Sequence, residues 1–177
     1  MLIRATCSIF VVMDISLLIL GVLLLACALW LCIRPHIPAV IAAYGGLWLL
    51  QWGGWLAFPS VMLSYWGVMT VVVIIITSLL PQPLVKTTQG MVHITVASFA
   101  AMLLGMTMGY APMIIGAFVG AAAGGVVFAR SPKGRVLDFP SARFLQYICA
   151  KGLPVVIAVS LVGIAIEVAL VQYSNPL

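Results

Sequence analysis

Two carboxylates and one histidine stand where a soluble protein would place hydrocarbon. Glu167 is flanked by Ile164, Ala165, Ile166, Val168 and Ala169, Asp14 interrupts the first apolar run, and His93 opens a later one. Ionisable groups inside an apolar segment are costly to bury and mark function by default. Ser160 and Gly163 precede Glu167 at one-turn intervals, so all three share a helix face. Glu167 therefore has two readings, a proton-binding carboxyl turned into a bundle or a carboxylate snorkelling ~9 Å to the interface. Asp14 either meets Glu167, with Arg4 nearby, as a proton or cation entrance, or only marks the start of a span. His93 lies one turn before Ala97, pointing into the bundle or sitting at the membrane interface. Its expected depth sets it apart from Glu167.

Catalysis needs converging groups with tuned acidity. Three acids and two histidines spread along the whole chain do not supply them, so no enzyme activity and no cofactor is expected. The four cysteines, Cys7, Cys27, Cys32 and Cys149, form no Cys-x-x-Cys pair, and no metal site is expected. Leu24-Leu25-Ala26-Cys27 has the form of a lipoprotein cleavage box. The apolar sequence continues past it from Ala28 to Ile33, which points to a retained anchor helix.

The elements holding these residues follow from composition. Of 177 residues 65% are hydrophobic and only 6% charged, against about 25% charged in soluble domains. Mean hydropathy is +1.30. Such a chain cannot clothe a water-facing surface, so an all-α integral membrane protein is expected. A crossing needs about 20 apolar residues. Breaks at Pro, Gly and charge give six spans in one domain, over residues 8–33, 38–57, 61–80, 91–109, 113–128 and 153–171. A five-span rival makes the fourth and fifth segments a re-entrant hairpin.

Basic residues orient the spans. Arg130, Lys133, Arg135, Arg143 and Lys151 crowd one loop, 129–152, and Lys and Arg favour the cytoplasmic side. With that loop inside, Arg34 and Lys86 also fall inside and only Arg4 falls outside, so both termini are expected outside a plasma (inner) membrane. Trp52, Trp55, Tyr65 and Trp66 then flank an outer turn. The loop is a topology determinant, or a surface for anionic lipid or a partner. Ser141 is placed to cap a short helix in it, lying on the membrane surface. The net charge of +5 is largely spent there and does not indicate nucleic acid.

The sharpest pattern is a pair of small-residue stripes. Ala97, Ala101, Gly105 and Gly109 recur every four residues in the fourth span, and Gly116, Gly120 and Gly124 do so in the fifth. Small stripes let helix backbones approach where lipid removes the hydrophobic drive. A turn at 110–112 predicts an antiparallel pair, with the slim fifth span at the bundle centre. Two glycine pairs, Gly45-Gly46 and Gly53-Gly54, mark the second span as packed or broken.

Residues Gly105 to Gly125 resemble the glycine-zipper hairpins of small bacterial inner-membrane proteins, a resemblance that implies packing and no activity. The length and six spans are similar to the substrate-binding subunits of vitamin-uptake transporters, without a vitamin-site motif. The expected function is a non-catalytic packing or assembly subunit, in a homo-oligomer or larger membrane complex. The alternative is a small proton- or cation-coupled transporter or channel subunit using Glu167 and Asp14.

Overall fold

The computed structural model describes residues 2–33, 39–54, 56–80, 89–134 and 140–174, with side chains from Asp14 onward. Trp55, Arg34, Lys86 and Arg135 lie outside the described residues, and of Arg4 and Cys7 only the helical backbone is described.

Every regular element among the described residues is a helix, and no strand occurs among them. Helix α1 is Leu2–Leu31, α2 is Ala39–Trp52, α3 is Ser60–Leu79, α4 is Met91–Met106 and α5 is Tyr110–Arg130. A short α6, Ala142–Tyr147, passes through a π-helical turn, Ile148–Gly152, into α7, Leu153–Ser174. Four helical segments are long and apolar enough to cross a membrane: Asp14–Leu31, Ser60–Leu79, Tyr110–Arg130 and Ala142–Ser174. Helices α2 and α4 are apolar but shorter.

Several boundaries differ from the sequence reading for local reasons. Helix α1 runs unbroken through Asp14, so the amino-terminal residues continue the helix as far back as Leu2. Helix α2 stops at Trp52 because Gly54 takes a left-handed φ of +67°, open to glycine without strain. The 110–112 segment, expected as a turn, is instead the first turn of α5. Pro112 is tolerated there because the first-turn N–H it lacks has no helical acceptor. The reversal between α4 and α5 falls on residues 107–109, where Gly109 adopts φ +111°.

Helix α7, not α5, holds the centre. Eleven consecutive residues, Val155 to Ala165, are all buried, so α7 is walled on every side over three turns. It touches α2, α3, α4, α5 and, more lightly, α1. Helix α5 buries one face (Met113, Ala117, Gly120, Ala121, Gly124, Phe128) and exposes Ile115, Phe118, Val119 and Val127. Helix α1 packs mainly on α2 and leaves most of its apolar surface uncovered.

Ser141 caps α6: its hydroxyl accepts a hydrogen bond from the Phe144 N–H at 3.2 Å. The π-helical turn then carries α6 directly into α7 instead of leaving it as a separate surface helix. At 1.5 Å per residue this 33-residue stretch is about 50 Å long, more than the ~30 Å of a hydrocarbon core. The two ends of the bundle are named below by Trp52 and by Tyr147.

Candidate functional site

Glu167 sits near the Trp52 end of α7, just beyond the fully buried stretch. It is half-buried, and its Oε2 is out of solvent without a hydrogen-bond partner. One turn earlier, Gly163 lets the sulfurs of Met102 and Met113 close over the backbone; a Cβ at 163 would stand 2.8 Å from each. One turn earlier still, the Ser160 hydroxyl is wholly buried, also without a partner. The Ser160–Gly163–Glu167 face thus looks onto the α4–α5 pair.

Asp14 belongs to a different side of α7. A groove of about 620 Å³ runs between α1, α2 and α7, lined by Leu18, Val22, Val162, Ala165, Ile166 and Ala169 among others. At about 100° per residue, Glu167 lies roughly opposite that α7 face. Asp14 is half-buried, one turn before Leu18, so the geometry sets the two acids apart on either side of the central helix. His93 is at the other end of the molecule. Its side chain is exposed, its ring 6.0 Å from that of Phe128 and tilted.

The small residues of α4 and α5 lie backbone to backbone. A Cβ at Gly116 would fall on the Ala101 carbonyl, at Gly120 on the Ala97 carbonyl, at Gly124 on the His93 carbonyl and at Gly105 on the Pro112 carbonyl. Gly109 faces open space and serves the reversal instead. The buried Ser98 hydroxyl donates to the Ala117 carbonyl at 2.8 Å, locking the register of the pair.

The Tyr147 end gathers a second set of polar groups. The Tyr147 hydroxyl donates to the Gln89 carbonyl at 2.7 Å, and its ring stacks on Phe128 at 5.8 Å. Arg130, Lys133 and Arg143 are exposed. Lys151, grouped with them in the sequence reading, is only 2% exposed. It lies within the π-helical turn, where its neighbours Ala150 and Gly152 are buried as well. Plain α-helical periodicity could not have shown this.

Lys151 precedes the apolar run that begins at Leu153, and burial pushes its ammonium down to about 8. Between that value and the ordinary 10.5 the unfolded chain holds the proton that the folded chain releases, so stability rises with pH across the interval. The thermal midpoint in detergent is expected to climb from pH 7 to pH 9 in the wild-type chain. An equal climb in Lys151→Met would show another group to be responsible.

Elsewhere the described polar atoms are dispersed. Gln51 Oε1, Thr70 Oγ1 and Thr95 Oγ1 are buried without partners on three different helices. Among the described residues, no cluster of three or more His, Cys, Asp or Glu could hold a metal ion. Among the described residues the fold is all-helical, with segments long and apolar enough to cross a membrane packed around one buried helix. The chain matches no protein-family model, and no curated protein and no solved structure was found to be similar to it.

Proposed function

We propose that this is a six-span protein of the plasma (inner) membrane with both termini outside, acting as a non-catalytic packing or assembly subunit. In this reading the short helices α2 and α4 cross together with the four long segments. The small-residue pair α4–α5 is a rigid unit of a compact bundle, and the exposed Arg130, Lys133 and Arg143 meet anionic lipid on the cytoplasmic side. The observation that carries the reading is the wall-to-wall burial of α7 from Val155 to Ala165. A bundle whose central helix is packed on every side offers surfaces to neighbours and no wide polar route through its middle.

The surface best placed for assembly is α1, where Ile19, Leu20, Val22 and Leu23 are all about half exposed or more. A photoreactive residue at Leu23 in native membranes is expected to yield an adduct of at least twice the 18.8 kDa chain. Adducts of lipid size alone would count against assembly through this face.

A second reading, a proton- or cation-coupled transporter subunit, is favoured by one observation. Two unpartnered polar atoms, Ser160 Oγ and Glu167 Oε2, share one face of α7. Its mark would be proton uptake by reconstituted vesicles that Glu167→Gln abolishes.

A further inference from the structure

Among the described residues the thiol, imidazole and carboxylate donors do not gather; the thioethers do. Four of the chain's nine methionines, Met102, Met106, Met108 and Met113, fall within twelve residues around the α4–α5 reversal. Met108, at the reversal itself, is 79% exposed. Met106 packs half-buried against the core, one turn from Met102 on the same face of α4. Met102 and Met113 are fully buried. Thioethers thus occur at the surface of the Trp52 end, part-way in and at the centre. The two central ones converge from different helices. A Cβ at Gly163 would stand 2.8 Å from the sulfur of each, so the two sulfurs are no more than twice that distance apart. On both side chains the sulfur is the atom nearest to that shared point. The missing side chain at 163 leaves them room beside α7.

From these features we infer that Met102 and Met113 form a buried site for a soft monovalent cation, Cu(I), reached from the Trp52 end by way of Met108 and Met106. Donor chemistry selects this occupant. Zinc is held by thiolate, imidazole and carboxylate, and calcium and magnesium by oxygen. Uncharged thioethers suit Cu(I). Two metal–sulfur bonds of ~2.3 Å each link sulfurs at about this separation, and the three rotatable bonds of methionine let each arm close on the ion. The inference rests on neither the assembly nor the transport reading, and the oxygens of Ser160 and Glu167 take no part in it.

The test uses the full chain in detergent, titrated without oxygen with Cu(I) held by the chelator bicinchoninate. Two readouts separate copper on methionine from copper on cysteine. The wild-type sequence produced with selenomethionine should show a selenium neighbour in the X-ray absorption spectrum of the bound copper, which copper on a thiolate lacks. Met102→Leu and Met113→Leu, which nearly conserve core volume, should each lower the copper bound by one ion per chain. Met91→Leu, buried at the opposite end of α4, should leave it unchanged. Met108→Leu should slow uptake without altering the amount bound, and an unchanged rate there would overturn the entry route. Copper without a selenium neighbour in the wild-type sequence overturns the site itself, as does an undiminished amount of copper on monodisperse Met113→Leu.

Discussion

Gly120→Leu is expected to cost about 3 kcal/mol or more, enough to prevent recovery of folded protein from a marginally stable bundle. Even a methyl group at position 120 would fall on the Ala97 carbonyl, with the Ala101 Cβ 2.7 Å away and the Ser98 Cα 2.8 Å away. None of these can rotate aside as the end of a flexible side chain can. The larger side chain must therefore separate α4 from α5, and the Ser98 hydroxyl would lose the Ala117 carbonyl as the helices part. Such a buried interhelical bond adds only about 0.6 kcal/mol in comparable membrane proteins, so overpacking dominates the loss. Gly45→Ala is the control, because nothing stands within 4 Å of a Cβ there. It should be neutral or stabilising by up to ~1 kcal/mol through helix propensity. Reversible unfolding in mixed micelles compares the two, and a Gly120→Leu protein as stable as Gly45→Ala would refute the backbone contact.

The second large effect belongs to the central helix. Leu161→Ala removes a side chain that is 0% exposed in the middle of α7. The cavity it leaves is bounded by several helices, so the structure can collapse only partly. A loss of about 2–5 kcal/mol is expected. Leu170→Ala on the same helix removes a side chain that is 57% exposed and should change stability by about 0.5 kcal/mol or less. Similar losses at the two positions would mean that α7 does not hold the centre in the membrane. The contrast is informative because both leucines lie on one helix and in one kind of neighbourhood as judged from sequence.

That similarity explains how much of the molecule was legible beforehand. The helical segments follow from composition and punctuation. Residues 61–80 were expected to form a span, and the helix is Ser60–Leu79. Residues 153–171 begin their helix at Leu153 as expected, though it continues to Ser174. The cap at Ser141 was equally readable, since a hydroxyl before an unpaired N–H acts over three residues. The departures are local too: Pro112 fits a first helical turn as well as it fits a reversal, and nothing in residue type alone decides between them.

The arrangement of helices was not legible in the same way. In water, hydrophobic periodicity tells which face of a helix is buried. In lipid, the interior and the surroundings are equally apolar, so that signal vanishes. Helix α5, slim and rich in glycine, was expected at the centre, while α7, with larger residues all round, took it. The small-residue stripes indicate where backbones can approach but not which helix the pair then surrounds. The same limit applied to the candidate site. The spacing of Ser160, Gly163 and Glu167 showed that they share a face. That this face meets Met102 and Met113, and that Asp14 lies one turn from a groove on the far side of α7, depended on helix packing.

By itself, then, the sequence determined that the chain is helical and that long segments of it can cross a membrane, because apolar length and helix punctuation act locally. Tertiary structure alone decided that α7 is the buried axis, that Lys151 is buried within a π-helical turn, and that Gly163 packs under the sulfurs of Met102 and Met113. Each of these depends on which helices touch, and in an apolar solvent that choice is made by shape and close packing, which hydropathy does not encode.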